Sequence, residues 1–315
     1  MTSIPGASDV PVVTSGERER AKVVAVPSRG GFNKWVRNLG WRHLVAWVAL
    51  VFALFPVVWV ISASLNPQQT LTSQRLLPET ISFENYTELL TGTTPYVNWY
   101  LNTILIAGGS SALMTLMSAF AAYAFSRMRF KGRRIGLMSV LLIQMFPQVL
   151  AFVAIFLIMT QVKGVFPAVG LGTRSGLLLV YLGGALGVNT WLMKGFFDTI
   201  PRELDESAMV DGASHHQTFF RIVLPLVAPI LAVVFLLSFI LGINEFVLAD
   251  AVLGQGSPEN YTLSIGLFRY LSDEFNQRWG TFAAGALMAG VPVVILFLFL
   301  QKYIVSGLTQ GAVKG

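Results

Sequence analysis

The chain has no cysteine and few charged residues. Among its 315 residues only 12% are Asp, Glu, Lys or Arg, whereas soluble proteins average about 25%. The lack of thiols excludes disulfides, a thiol nucleophile and thiolate metal sites. The three histidines, His43, His215 and His216, match no zinc-ligand spacing, and the sequence holds no phosphate-binding loop and no GxSxG or HExxH motif. We therefore expect a chain that binds no metal and is not an enzyme on its own.

Apolar residues dominate the composition instead. They make up 54% of the chain, and the mean hydropathy is +0.64. A bilayer core about 30 Å thick needs roughly twenty apolar residues per helix. Six stretches qualify, namely 44–64, 97–125, 135–160, 176–197, 226–249 and 282–305. Because backbone groups in lipid must be satisfied within their own segment, the sequence predicts an all-α transmembrane protein with six spans.

Lysine and arginine are distributed unevenly between the predicted loops. They concentrate before the first span and in RMRFKGRR, the connection between the second and third spans. Basic loops face the cytoplasm, so both termini are predicted to be cytoplasmic. The predicted organisation is an N-terminal extension at 1–41, a membrane domain at 42–305 with a cytoplasmic loop at 198–225 and an external loop at 250–280, and a tail at 306–315. The formal charge of +6 reflects this topology, and we expect no nucleic-acid partner.

Charged residues are concentrated again in the cytoplasmic segment at 205–225, whose sequence is DESAMVDGASHHQTFFRIVLP. Pro201 suits the first turn of a helix, and the acidic residues that follow it favour the helix dipole. Ala208 and Gly212 share a helix face, where small side chains allow a partner to approach closely. Gly212 can end this helix in a left-handed conformation, and Ser214 offers an N-cap for a second one. The pattern predicts a helix–turn–helix that docks on a soluble partner; the alternative is a solvated charged loop.

The same segment resembles the EAA loop of type I ABC importer permeases. That family's motif is Glu-Ala-Ala, three residues, Gly, nine residues and Ile-x-Leu-Pro. The matching positions here are Glu206, Ser207, Ala208, Gly212, Ile222, Leu224 and Pro225. Ser207 is the one departure, and it replaces one small residue by another. Further segments, AYAFSRMRFKG, QMFPQVLAFVA, VYLGGALGV and PILAVVFLLSFI, are similar to the shorter permease subunit of maltose/maltodextrin importers.

The resemblance, which covers 44–315, implies a six-helix ABC type I permease in the inner membrane that imports maltose, maltodextrin or a related oligosaccharide such as trehalose. It also implies a second permease subunit, an ATP-binding subunit dimer that holds ATP and magnesium, and an extracytoplasmic sugar-binding protein. The residues that it assigns to ATPase contact in the loop are Glu206, Ser207, Ala208, Gly212, Arg221, Ile222, Leu224 and Pro225. Those in the tail are Gly311, Val313, Lys314 and Gly315. Those that would reach the binding protein are Gly254, Gln255, Gly256, Ser257, Pro258, Glu259 and Asn260.

Amide and carboxyl groups at membrane depth are candidates for the translocation path. Gln144 and Gln148 lie one helical turn apart beside Pro147, which suits either pore lining or hydrogen bonding between helices. Asn244 and Glu245 lie near the outer end of the fifth span, where Glu245 is a candidate to face the translocation path or its external gate. A self-contained carrier or channel is the alternative of a different class, although carriers often show two related halves and no segment here recurs.

Overall fold

In the computed structural model the described residues are 39–68, 76, 78, 80–272 and 278–312, without the side chains of 148, 149, 270 and 305–312. The described part is helical throughout and contains no strand. The predicted N-terminal extension lies almost wholly outside the described residues. The chain divides into two compact units at 1–56 and 57–315. The helix α1, Trp41–Ser64, contains Pro56, and its side chains from 41 to 56 are all exposed, as suits a lipid-facing helix.

The second unit contains the remaining helices. In chain order they are α2 (Glu84–Thr91), α3 (Tyr96–Arg127), α4 (Arg133–Gln144), α5 (Gln148–Val165), α6 (Arg174–Leu182), α7 (Val188–Phe197), α8 (Glu203–Val210), α9 (His215–Thr218), a π-helix at Phe219–Val223, α10 (Leu224–Leu226), α11 (Ala228–Asn244), α12 (Val247–Leu253), a 3₁₀-helix at Pro258–Asn260, α13 (Leu263–Leu271) and α14 (Trp279–Ala312).

Three described helices are long and apolar enough to cross a membrane: Trp41–Ser64, Tyr96–Arg127 and Trp279–Ile304. A fourth crossing results if the bent pair His215–Leu226 and Ala228–Asn244, which meet at 76°, is one span. The predicted spans at 135–160, 176–197 and 226–249 are not single helices in the structure. They are interrupted at residues 145–147, at 183–187, and at 227 and 245–246. Pro147 removes a backbone donor, and the glycines between α6 and α7 weaken a helix interior.

Helix α3 is the central helix of the second unit, and it packs against α6, α7, α11 and α13. Its buried residues are mostly small, including Ala107, Ser110, Ser118 and Ala122, so neighbouring helices can approach closely. One core cluster surrounds the N-terminal end of α3 near Tyr96 and Trp99. Another surrounds its C-terminal end and includes the start of α11. The two ends of α3 therefore organise the two functional regions described next.

Candidate functional site

The predicted helix–turn–helix forms at 203–218. Two backbone hydrogen bonds close the C-terminus of helix α8. Gly212 N donates to Met209 O (3.0 Å), and Ala213 N donates to Ala208 O (2.9 Å). Gly212 has a φ of 83°, the left-handed conformation that favours glycine. Ser214 then caps α9. Its Oγ accepts a hydrogen bond from the backbone amide of Gln217, and the Gln217 side chain accepts one from the backbone amide of Ser214. Local signals in the sequence thus produce the predicted turn.

Helix α8 has one exposed face and one buried face. Glu203, Glu206, Ser207 and Val210 are exposed at spacings of three and four residues, and Val210 keeps 87% of its surface accessible. Ala208 is buried against its own chain. The small face predicted from the spacing of Ala208 and Gly212 is therefore only partly available, since Gly212 alone of these two faces open space. The exposed surface of α8 combines the acidic Glu203 and Glu206 with the apolar Leu204, Met209 and Val210.

The buried face of α8 lies on the C-terminal end of α3. Arg127 Nε lies 2.9 Å from Asp205 Oδ2, and both side chains are only 8% exposed. Burial raises the pKa of the Asp205 carboxyl, and the Arg127 guanidinium opposes that rise. The sequence patterns did not point to this pair, because Arg127 counted only as one of several basic residues in a cytoplasmic loop.

The start of the cytoplasmic loop is tied to the same end of α3. Ser126 Oγ donates to Asp198 Oδ1 at 2.6 Å, and Lys194 also bonds that carboxylate. Burial alone would raise the pKa of Asp198, but the hydrogen bonds from Lys194 and Ser126 bring it below its ordinary value. Arg127 donates to Ile200 O at 2.9 Å, and Arg202 donates to Ser126 O at 3.2 Å. The loop thus has several anchors on two consecutive residues of α3.

An aromatic side chain anchors the second half of the loop. Phe219, in the π-helix, is 2% exposed, and its ring centroid lies 5.1 Å from that of Phe120 and 4.9 Å from that of Tyr123. The sequence analysis did not identify Phe219 and named the neighbouring motif residues. Arg221 and Pro225 are exposed, whereas Ile222 and Leu224 are partly buried.

The loop at 254–260 sits beside the N-terminal end of α3. Trp99 Nε1 donates to Pro258 O at 2.7 Å, and Asn102 Nδ2 donates to Glu259 O at 2.7 Å and to Tyr261 O at 3.0 Å. The backbone of this loop is therefore fixed. The side chains that remain exposed are Gln255, Ser257, Pro258 and Glu259, while Gly254, Gly256 and Asn260 are partly buried.

Three of the helix interruptions border one cavity of about 700 Å³. Gln144 and Phe146 line it from the break after α4, Gly183 and Gly184 from the break after α6, and Glu245 from the break after α11. Non-helical backbone at membrane depth is tolerated only where protein buries it or where it lines a cavity. The interruptions are therefore consistent with this cavity.

Glu245 is an acceptor for several neighbouring donors. Its carboxylate accepts hydrogen bonds from Tyr181 OH at 2.9 Å and from the amides of Leu248 and Ala249 at 2.8 Å each. The two amides belong to the first turn of α12, so Glu245 caps that helix. Ser264 Oγ, in α13, donates to the Glu245 carbonyl at 2.8 Å. One residue thereby joins α6, α12 and α13 at the edge of the cavity.

The other predicted path residues are placed differently. A Cβ atom on Gly187 would lie 2.1 Å from Gln144 Nε2, so the Gln144 amide packs directly on the backbone where α7 begins. Asn244 lines a separate cavity of about 440 Å³ and donates to Ile240 O in its own helix. The Gln148 side chain lies outside the described residues. In the tail, α14 includes Gly311, whereas Val313, Lys314 and Gly315 lie outside the described part.

Comparison with known proteins identifies the family. Residues 114–310 match the family described as binding-protein-dependent transport system inner membrane component. The chain belongs to this family. It is 42% identical over 284 residues to the galactooligosaccharides transport system permease protein GanQ of Bacillus subtilis (strain 168), covering 90% of this chain and 97% of that protein. It is 38% identical over 286 residues to the maltose/maltodextrin transport system permease protein MalG of Escherichia coli (strain K12), covering 87% and 95%.

Solved structures have the same fold. A bacterial ABC transporter involved in the import of the acidic polysaccharide alginate matches with a TM-score of 0.70 and 26% identity, covering 85% of this chain and 97% of that one. A bacterial alginate ABC transporter in complex with an alginate pentasaccharide-bound periplasmic protein matches with a TM-score of 0.59 and 18% identity. As a member of the permease family, the chain is a non-catalytic, multi-pass inner-membrane subunit. The prediction of an ABC type I permease is confirmed.

Substitution of Ser214 tests how far the permease's loop depends on its capping box. We expect Ser214→Ala to destabilise the α9 turn by about 1 kcal/mol, because the Gln217 amide loses its acceptor. Ser214→Thr, which retains a capping hydroxyl, is the matched control. Hydrogen exchange of the loop amides in the purified protein measures the change. Equal protection in both variants would show that the cap is dispensable.

Proposed function

We propose that the chain is a permease subunit of an ATP-driven importer that carries maltodextrin, galacto-oligosaccharide or a related oligosaccharide. The observation that carries the proposal is the exposed acidic face of α8 at the EAA position, in a chain whose relatives transport such sugars. ATP binding and hydrolysis belong to a separate ATPase subunit. Both termini lie in the cytoplasm, on the same side as α8.

The exposed face of α8 contacts the ATPase subunit. Glu206 pairs with a basic group there, and Val210 enters an apolar pocket. Val210 keeps 87% of its surface accessible and lies on the same helix face as Glu206, so both side chains are available to one partner surface. Gly212 faces open space and allows the partner to approach its backbone. The tail from Gly311 to Gly315 adds a second contact.

The loop at 254–260 contacts the external sugar-binding protein. Its exposed residues supply the contact, whereas the bonds from Trp99 and Asn102 hold its backbone in place. A second permease subunit completes the transmembrane pore. The fixed backbone supports this role, because an ordered loop binds a partner without a large loss of conformational entropy.

Substitution of Asn102 tests the role of the fixed loop. Its side chain makes two bonds to the loop and accepts one from Arg174, so Asn102→Ala leaves buried polar groups unpaired. We expect stimulation of ATPase activity by the binding protein to fall about thirtyfold, since the two lost bonds to the loop cost about 1 kcal/mol each. Basal ATPase activity is expected to stay near that of the parent. Thr160→Ala, on exposed α5, is the control. Full stimulation in Asn102→Ala would contradict the role of the loop.

The cavity of about 700 Å³ forms this chain's side of the translocation path. Gln144, Tyr181 and Glu245 supply polar groups among mostly apolar lining residues. Such a surface suits a sugar, which presents both hydroxyl groups and apolar C–H faces. Asn244, the other candidate in this part of the chain, bonds within its own helix and lines a separate cavity.

Uptake measurements test the proposed function. A strain that lacks the chain is complemented with it and supplied separately with labelled maltotriose, a galacto-oligosaccharide and trehalose. We expect ATP-dependent uptake of at least one α-glucan or galacto-oligosaccharide. If only trehalose is taken up, the proposal of an ATP-driven importer stands and the proposed substrate is wrong. Uptake that depends on the proton gradient and continues without ATP would favour a self-contained carrier and overturn the proposal.

A further inference from the structure

The buried ion pair between Arg127 and Asp205 joins the cytoplasmic loop to the central helix. Its two charged atoms lie 2.9 Å apart, and both side chains are 8% exposed. Arg127 also donates from a second nitrogen to Ile200 O at 2.9 Å. A single side chain at the end of α3 therefore holds the loop at two points, one before α8 and one within it.

The pair holds α8 by charge rather than by a hydrogen-bond network. Within the described part of the chain, neither Asp205 carboxylate oxygen accepts a hydrogen bond that satisfies both distance and angle, and Arg127 Nε donates none. A buried charge that loses its partner is left poorly compensated; for Asp205 the remaining positive groups are Arg202 and His215, whose effects are smaller than that of Arg127. Separation of α8 from α3, or rotation of α8 about its own axis, would therefore break the pair and leave both charges poorly compensated.

Helix α8 is connected to the membrane helices in two ways, through this ion pair and along the chain. Asp205 is buried, whereas Glu206 and Val210 of the same helix are exposed. Along the chain, α8 leads to α11 through α9, a π-helix and a bend of 76°. Helix α3 reaches the cavity as one continuous helix, since its residues Ser110 and Met114 line it.

We propose that Arg127 and Asp205 are positioning residues that make α8 and α3 move as one rigid body, so that displacement of α8 reaches the translocation cavity through α3. This inference rests on the proposed docking of α8 to an ATPase subunit. It assigns the transmission of movement to a side-chain contact between distant parts of the sequence. The direct chain connection from α8 to α11 is then the secondary route.

Spin labels can test the rigid-body behaviour, because the chain has no native cysteine. Labels are placed at Met128→Cys, at the end of α3, and at Asp211→Cys, after α8, in a complex whose other subunits also lack cysteine. The distance between the labels is measured without nucleotide and with a trapped ATP analogue. We expect one distance in both states, and a broadened or shifted distribution with nucleotide when Asp205→Asn is added. A distance that changes with nucleotide in the parent complex would overturn the proposal.

Coupling is measured in the same complex as sugar transported per ATP hydrolysed. We expect Asp205→Asn to lower this ratio about tenfold, a typical size for coupling between sites, while the ATPase subunit still copurifies. Asp205→Glu keeps the charge and is expected to recover much of the ratio. Lys131→Gln removes an exposed positive charge nearby and serves as the control. An unchanged ratio in Asp205→Asn would reject the role of the pair.

Two further outcomes separate the inference from the function on which it rests. If Asp205→Asn does not assemble, Arg127→Gln, which removes the charge from the other side of the pair, decides the question through the label distance. A parent-like distance distribution with nucleotide in Arg127→Gln would then count against the rigid attachment. A parent complex without ATP-dependent uptake would contradict the proposed function itself, whereas normal uptake with full coupling in every variant would contradict only the role of the ion pair.

Discussion

Replacing Val210 with Asp is expected to reduce ATP-dependent sugar uptake about thirtyfold, the loss typical of a central interface residue. Val210 keeps 87% of its surface accessible and lies at the end of α8, on the same face as Glu206 and Ser207. In the proposed docking, a carboxylate at this position would be buried against the ATPase subunit without a partner, which is costly. The variant protein should still insert and fold, because the side chain makes little contact within its own chain.

The control for this substitution is Asp211→Asn, which changes an exposed residue next to Val210 without adding charge. We expect that variant to transport normally. Uptake by membrane vesicles and copurification of the ATPase subunit are measured for both proteins. If Val210→Asp transports as the parent does and still retains the ATPase subunit, the exposed face of α8 is not the docking surface.

Removing the Glu245 carboxylate is expected to have the largest effect within the membrane domain. Glu245→Ala leaves the amides of Leu248 and Ala249 without their acceptor and breaks the bond from Tyr181. Unpaired buried donors cost about 1–3 kcal/mol each. We therefore expect the free energy of unfolding to fall by about 3 kcal/mol, together with a loss of uptake, because the start of α12 loses its attachment beside the cavity.

A graded series separates capping from the contact with Tyr181. Tyr181→Phe removes one hydrogen bond and is expected to cost about 1 kcal/mol. Glu245→Gln is expected to be intermediate, since an amide has a single acceptor oxygen and cannot serve every donor. Asn244→Ala is the matched control, because its side chain bonds only to Ile240 O among the described contacts. Thermal unfolding in detergent and uptake are measured for each. The same loss in Asn244→Ala as in Glu245→Ala would reject the specific role of the carboxylate.

The parts of the fold that the sequence predicted are those that depend on local chemistry. Gly212 and Ser214 act on residues a few positions away, so their patterns were sufficient to predict the turn and the second helix. The apolar stretches likewise predicted α1, α3 and α14, because each is continuous. The motif at 206–225 was sufficient to predict the permease family, and the comparisons confirm that prediction.

The features that the sequence did not predict depend on tertiary packing. A run of apolar residues has the same average hydropathy whether its helix is continuous or broken, so the interruptions around Pro147, Gly183 and Glu245 were missed. Arg127 looked like one basic residue among several, since its burial against Asp205 depends on how α8 lies on α3. Asn102 likewise gave no sign that its amide binds the loop at 254–260.

The central claim is that this chain couples a separate ATPase subunit to sugar movement through α8. The ATPase activity of the purified complex tests that claim most directly. The chain is co-expressed with its neighbouring transport genes, and ATP hydrolysis is measured with binding protein across a panel of oligosaccharides. We predict that an ATPase subunit copurifies, that a maltodextrin or galacto-oligosaccharide stimulates hydrolysis, and that Val210→Asp removes the stimulation. A purified chain with no ATPase subunit, or an activity indifferent to every sugar, would contradict it.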